Sequence, residues 1–411
     1  MKMKKINERI VSIFLSFVLI VMLIPLSGII ALAETEKATH IDVYTGTVWE
    51  TKELGVDTLP EGMSYDSVKD RIVLDGYNGY SFGPGDLDKS ISIYVVGENI
   101  INGRLGHADG TQIELVGTTG SELKINFNDV NSCSILGSVV ATDVEIYINT
   151  TCTGNIYPYL WGINGSVELN GKSKLNMYTQ NHTSYGVDSI GISGELTLND
   201  ESGAYVIVLG DENNDNVTGV AGKLNLNGTG ECFINVFSEN ENPSIKLQAV
   251  GEEPIIANPE AYELDGAWDS DFVHYKPIPK IVEGNNSKWV KGTDSGLTFK
   301  SSAPHKDFEQ VKIDETLLSA DKYELSEGST VVTLKPDYLE TLTVGKHKID
   351  IYSEGGIASG NFEVLAKAAV ATEEEIAQTG DMNNAVSQLV LVVALGGLAA
   401  VAGVARRKED K

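Results

Sequence analysis

Cysteine is almost missing from this chain. Cys133, Cys152 and Cys232 are the only three in 411 residues, too few for the disulfide framework of a small secreted domain and not spaced as zinc ligands. A Cys133 to Cys152 bridge stays open at this point. Basic residues are also scarce, 31 against 58 acidic, for a formal net charge of -27. Such a surface repels polyanions, which excludes nucleic acid as a partner and leaves neutral glycans, cations and basic proteins. The acidic residues sit among Gly, Asn, Ser and Thr without a long run, so solubility outside the cell is a sufficient reason for them. Histidine is scattered: six residues, none in an i, i+4 pair, argue against a zinc site.

Long apolar runs occur only at the two ends. Lys2, Lys4, Lys5 and Arg9 precede the stretch from Ile10 to Leu26, and Ala31-Leu32-Ala33 has the small residues a signal peptidase needs, so residues 1–33 read as a signal peptide cut after Ala33. At the other end, Ala385 to Ala405 has no charge and is long enough to span the ~30 Å hydrocarbon core as a helix, with Arg406-Arg407-Lys408 held on the cytoplasmic side. Removing a leader of net +3 and the tail beyond Thr379 of net +1 takes the mature chain to about -31. Both apolar segments serve export and anchoring, and everything between them is expected outside the cell.

Between the ends the chain repeats. Gly162-Ile163-Asn164-Gly165-Ser166-Val167-Glu168-Leu169-Asn170, Gly191-Ile192-Ser193-Gly194-Glu195-Leu196-Thr197-Leu198-Asn199 and Gly219-Val220-Ala221-Gly222-Lys223-Leu224-Asn225-Leu226-Asn227 superpose without a gap at a spacing of 28 to 29 residues, within the range that signals solenoids. A second alternating strand follows each: Leu175/Met177, Ala204/Val206/Val208 and Cys232/Ile234/Val236 hold equivalent places with polar or aromatic residues between, one face buried and the other wet. Cys232 is then a small core residue. Weaker copies stand at Arg71-Ile72-Val73-Leu74, Ile91-Ser92-Ile93, Ile113-Glu114-Leu115 and Val144-Glu145-Ile146. A strand, a Gly/Asn turn and another strand per repeat predicts an all-β fold, a right-handed parallel β-helix whose coils must stack to bury a core. Asn170, Asn199 and Asn227 are expected one above another, pairing along the stack at a turn with left-handed backbone.

Beyond the coil, Pro254, Pro259, Pro277 and Pro279 break periodicity, and residues 251–281 read as a Pro-rich linker with one short strand near Tyr275. Residues 282–365 then alternate at Gly296-Leu297-Thr298-Phe299, Val311-Lys312-Ile313, Thr330-Val331-Val332-Thr333-Leu334 and Lys348-Ile349-Asp350-Ile351-Tyr352 between Gly/Ser/Asp turns, which predicts a small β-sandwich. Residues 366–375 are an acidic, Ala-rich spacer.

Three resemblances follow from these residues. The tail Ile376-Ala377-Gln378-Thr379-Gly380, with its apolar run and basic end, resembles the L-P-x-T-G sorting signals of Gram-positive surface proteins, Ile376 and Ala377 standing in place of Leu and Pro. It implies that sortase cuts between Thr379 and Gly380 and joins Thr379 to peptidoglycan; an uncut signal would leave a single-pass membrane anchor. Residues 34–250, on Gly62-Met63-Ser64-Tyr65-Asp66, Ile72-Val73-Leu74 and the Gly-Ile/Val-x-Gly repeats, resemble the carbohydrate-binding β-helix domains of secreted Gram-positive proteins, which implies a polysaccharide or surface glycan as ligand. Tyr323 to Val331, Tyr338 to Leu342 and Gly345-Lys346-His347 resemble the immunoglobulin-like X-type modules of bacterial surface and cellulosomal proteins, commonly spacers.

Chemistry is sparsely marked. Pectin lyases and polygalacturonases use a β-helix, but this chain has none of the Asn-Thr-Asp, Asp-Asp or Arg-Ile-Lys motifs of the galacturonase kind, and His107 in Gly106-His107-Ala108-Asp109 has no orienting partner in the sequence. No catalytic residue is assigned. Asp211, Asn213 and Asp215 alternate as oxygen ligands for calcium would, yet Gly is missing at the sixth place and Gly222 stands at the twelfth, so the segment is not an EF-hand and a polar inter-strand loop suffices. The ligand-binding candidates are aromatic: Tyr157, Tyr159 and Trp161 in a loop before the first clear repeat, and Tyr77 and Tyr80 around Gly79, rings that stack on the apolar faces of sugars if they are exposed. The expected function is a wall-anchored, non-enzymatic glycan-binding or adhesion protein. A divergent β-helix lyase or hydrolase and a plain stalk or protein-binding adhesin are the alternatives.

Overall fold

The computed structural model describes residues 36–85, 89–106, 110–128, 133–153, 159–182, 187–211, 216–239, 245–326 and 329–367. Ala33 and the leader, Thr379, Gly380 and the run 385–405, together with Tyr157, His107, Asn213 and Asp215, lie outside the described residues. Among the described residues no helix is long and apolar enough to cross a membrane.

The repeats form a parallel β-solenoid. Each full coil holds three strands, one more than the repeat alone suggests. The first sheet stacks Gln112–Val116, Ser138–Thr142, Val167–Asn170, Leu196–Leu198 and Leu224–Leu226; the second stacks Glu122–Asn128, Glu145–Cys152, Lys174–Asn181, Gly203–Gly210 and Cys232–Ser238; the third stacks Cys133–Leu136, Tyr159–Asn164, Asp188–Ile192, Asn216–Val220 and Lys246–Val250. The repeated nine-residue motif straddles a corner: Gly162-Ile163-Asn164 ends a strand of the third sheet, the chain turns at Gly165, and Val167 opens the first sheet. At this corner the backbones nearly touch. A Cβ placed on Gly222 would lie 2.8 Å from the carbonyl oxygen of Gly194, to which the Gly222 amide donates, so only glycine fits.

In-register pairing also explains why the early copies look weak. Ile91 pairs with Ile113 and Ile113 with Val139, offsets of 22 and 26, whereas Val139 with Val167, Val167 with Leu196 and Leu196 with Leu224 are 28 or 29 apart. In the shortest of these coils the third-sheet strand shrinks to an isolated bridge at Leu105, so the sequence repeat fades while the stack continues. Columns such as Leu115, Ala141, Leu169, Leu198 and Leu226 point inward with at most 1% exposure, each fully buried Leu worth roughly 1.5–3 kcal/mol. Cys232 lies in that core opposite Ala204, as expected, and Cys133 and Cys152 are likewise buried; none of the three is in a disulfide.

The asparagine stack is present at the turn after the first sheet. Asn199 Nδ2 donates to Asn170 Oδ1 at 2.8 Å, and Asn227 Nδ2 to Asn199 Oδ1 at 2.9 Å. The left-handed backbone falls one residue later than expected, at Asp143, Gly171 and Asp200 with φ of 56°, 64° and 54°. The side chain therefore ladders at one position while the next residue makes the bend.

Antiparallel strands cap one sheet at each end of the solenoid, which blunts an edge that would otherwise recruit further strands. Met63–Asp66 pairs with Arg71–Asp75 at the start. At the finish, the segment expected as a linker belongs to the solenoid: Ile255–Ile256 adds to the first sheet, and Tyr262–Gly266 with Phe272–Pro277 forms a hairpin laid against Cys232–Ser238. Its prolines sit at the margins, Pro259 opening a short 3-10 turn and Pro277 ending the last strand, where no ladder amide is needed.

Residues 281–365 form a separate two-sheet unit. Ile281–Glu283, Leu297–Pro304, Ser329–Leu334 and Tyr323–Ser326 make one sheet; Ser287–Val290, Gly356–Leu365, Gly345–Ser353, Phe308–Ile313 and Thr316–Leu317 make the other. Trp289, Phe299, Leu334, Leu339, Ile351 and Phe362 lie in its core.

Candidate functional site

Tyr159 and Trp161 stand on a strand of the third sheet and not in a loop. Alternation along Tyr159–Asn164 sends both rings outward, with Leu160 buried between them. The rings stack at 5.5 Å between centroids and 26° between planes, and Tyr159 is 41% exposed. In register beyond Tyr159 the outer column continues as Asp188, Asn216 and Lys246, with Asn216 Nδ2 donating to Asp188 Oδ1 at 3.0 Å. This sheet thus offers one aromatic pair followed by a polar ladder.

Tyr77 and Tyr80 separate. Tyr77 is buried at 1% exposure, its hydroxyl donates to the carbonyl of Tyr80 at 2.9 Å, its ring meets Phe82 edge-on, and burial pushes its phenol up to about 12. It is a core residue and cannot stack on a ligand. Tyr80 is exposed beside two rings that sequence reasoning missed: Tyr44 lies 5.9 Å from Tyr80 edge-on and 5.4 Å from Trp49. Those residues meet only because Tyr44 pairs with Trp49 across an antiparallel ribbon, a contact with no repeat or spacing to announce it.

The larger surface lies on the outer face of the second sheet. Parallel pairing without slippage places Lys124, Tyr147, Asn176, Tyr205 and Phe233 in one row across five coils, and Asn126, Asn149, Tyr178, Ile207 and Asn235 in the next. Most of these residues line a concave patch of about 450 Å³. Tyr178 and Tyr205 are 38% and 41% exposed, so the rings present faces to solvent. Their hydroxyls are held: Tyr147 donates to Glu145 Oε1 at 2.8 Å and Tyr178 to Gln180 Oε1 at 3.2 Å, while Tyr205 bonds to Glu231. The Glu145 contact pushes the Tyr147 phenol up to about 12; partial burial first, and Glu231 second, raise that of Tyr205. Both stay protonated at neutral pH, fixed rings and poor bases.

Along one margin Glu98, Glu122 and Glu145 are in register. Lys124 reaches Glu122 at 3.0 Å and Glu98 at 3.8 Å, and its ammonium, its pKa raised chiefly by the Glu122 bond, stands 5.8 Å from the Tyr147 ring centre. At the far end His274 Nε2 contacts Glu231 Oε1 at 2.6 Å and its ring meets Phe233 edge-on at 5.1 Å. None of Tyr147, Asn176, Tyr178 or Tyr205 stood out in the chain, because an alternating strand marks them only as its wet face.

Asp211, the described member of the calcium candidates, is 8% exposed at the end of a second-sheet strand. Among the described residues no group of three His, Cys, Asp or Glu side chains is placed to hold a metal.

No family model matches the chain, and no curated protein matches it. Among solved structures, the twitchin kinase region from C. elegans (Fn31-NL-kin-CRD-Ig26) aligns over 28% of this chain and 18% of its own length, at 10% identity and a TM-score of 0.19. The titin Ig tandem domains A164-A165 align over 28% of this chain and 77% of theirs, at 12% identity and a TM-score of 0.18. Likenesses this slight carry no argument about this protein.

Proposed function

We propose that the chain is a non-enzymatic glycan-binding or adhesion protein of a Gram-positive surface. In this reading the solenoid carries the ligand and the two-sheet unit, as an immunoglobulin-like X-type module, is a spacer. Sortase joins Thr379 to peptidoglycan after the leader is cut at Ala33. The observation that supports binding is the outer face of the second sheet, where tyrosine rings with anchored hydroxyls alternate with asparagine amides on a rigid stack. Rings suit the apolar faces of sugars and amides suit their hydroxyls, both as donors and as acceptors. A polar solenoid with no such rows would suit a stalk better.

The contact of Tyr205 and His274 with Glu231 is the one observation that favours the second reading, a divergent polysaccharide lyase or hydrolase. Affinity electrophoresis of the full chain against soluble neutral and acidic polysaccharides, with and without calcium, separates these readings. Retardation of the protein with the polymer left at full length supports binding. Shortened polymer overturns the non-enzymatic reading, and no retardation by any polymer moves the weight to a stalk or protein adhesin.

A further inference from the structure

The face of the second sheet has a direction and a charge as well as rings. We infer that it binds an uncharged, extended polysaccharide whose chain runs along the solenoid axis, across the strands. The inference rests on the glycan-binding reading and specifies where the ligand lies and what class it belongs to.

The direction follows from register. Neighbouring strands are ~4.8 Å apart, close to the advance of one pyranose unit in an extended chain. Tyr147 and Tyr205 share a row with Asn176 between them, two strands or ~9.6 Å apart, so every second sugar meets a ring and the one between meets an amide. Tyr178, one row over on the intermediate strand, supplies a ring on the other flank, and Phe233 extends the row by one more coil. A chain lying along a strand would meet a residue on this face only every ~6.8 Å, out of step with its own units and quickly at a corner.

The class follows from the margin. Glu98, Glu122 and Glu145 stand side by side along the row, with the single cation Lys174 next in the column, and the charge of Lys124 is already taken up by two of the carboxylates. An acidic polysaccharide would bring its carboxylates against that line, on a chain of net charge -27. Self-association through this face would set the same acidic rows against each other. A neutral glycan meets neither penalty, and rings held by Glu145, Gln180 and Glu231 lose little freedom on binding.

The test is titration calorimetry of the purified full chain with hydroxyethylcellulose and mixed-linkage β-glucan as neutral probes and polygalacturonate as the acidic one, with sedimentation of the protein alone. Tyr147→Ala and Tyr205→Ala are expected each to weaken neutral-probe binding about tenfold, equivalent to about 1.4 kcal/mol. Trp161→Ala on the third sheet is expected to stay within about twofold. Glu122→Gln/Glu145→Gln is expected to raise polygalacturonate binding. Neutral binding lost in Trp161→Ala and kept in Tyr205→Ala overturns the location while leaving glycan binding intact. Polygalacturonate bound more tightly than the neutral probes by the unaltered chain overturns the class. A dimer that Tyr205→Ala dissolves assigns the face to self-association and refutes the inference. Absence of binding to every probe by the unaltered chain, whose fold circular dichroism verifies, refutes the glycan-binding reading itself.

Discussion

The asparagine ladder allows a stability prediction with internal arithmetic. Asn199 is its middle rung: it donates to Asn170 at 2.8 Å, accepts from Asn227 at 2.9 Å, and its amide also lies 3.2 Å from Glu168 Oε1. Asn227 is the end rung with the single ladder bond to Asn199, and it is exposed, so water replaces part of what it loses. A net contribution of about 1 kcal/mol per side-chain bond puts Asn199→Ala, which loses the bonds to Asn170, Glu168 and Asn227, at about 3 kcal/mol and Asn227→Ala at about 1 kcal/mol or less. The bond between them is counted in both, so the double substitution is expected at about 3 kcal/mol, a coupling of nearly 1 kcal/mol. Backbone bonds from Asn199 N to Leu169 O and from Asn227 N to Leu198 O remain in every variant, which confines the change to the side chains. The assay is urea unfolding of the four proteins, following the solenoid transition by circular dichroism. Equal losses from the two single variants, or a double variant whose loss is their sum, would refute the ladder as an energetic unit.

Two further outcomes follow from burial and ionisation. Cys133, Cys152 and Cys232 are buried and form no disulfide, and burial pushes the Cys232 thiol up, so an aromatic disulfide reagent is expected to find no thiol in the native chain and three after denaturation; rapid labelling in plain buffer would contradict the packing. Tyr147 through Glu145, and Tyr262 and Tyr275 in the closing hairpin through burial, have phenols pushed up to about 12. Unfolded phenols ionise near 10, so the stabilisation is whole below about pH 10 and is lost as pH rises through about 12. The urea midpoint is expected to fall together with the rise of phenolate absorbance, and a midpoint that holds steady through that range would show that these phenols are not held protonated by the fold.

Much of the architecture was legible in the chain because a solenoid writes its geometry as spacing. The period of 28 to 29 residues is the length of a coil, so Asn170, Asn199 and Asn227 had to fall in line, and alternation alone put Leu175, Met177 and Cys232 inside. Spacing also misled. Gly165 is a corner, so one conserved-length motif became parts of two sheets, and Pro254 to Pro279 border strands that close the solenoid where their density had indicated a linker. Tyr77 follows a glycine just as Tyr80 does, yet it lies in the core, where its ring fills the space beside Phe82.

The sequence by itself determined which residues of the repeats face inward, that coils must stack, and that the chain is anionic, since periodicity and charge are properties of residue order. The tertiary structure alone decided which outward residues are neighbours. Tyr147, Asn176, Tyr205 and Phe233 are about 28 positions apart along the chain, and Tyr44, Trp49 and Tyr80 share no period at all. Nothing local distinguishes an outward tyrosine that stands alone from one in a row: the row exists only once parallel strands hydrogen-bond in a fixed register and bring remote residues within one strand spacing, ~4.8 Å, of each other.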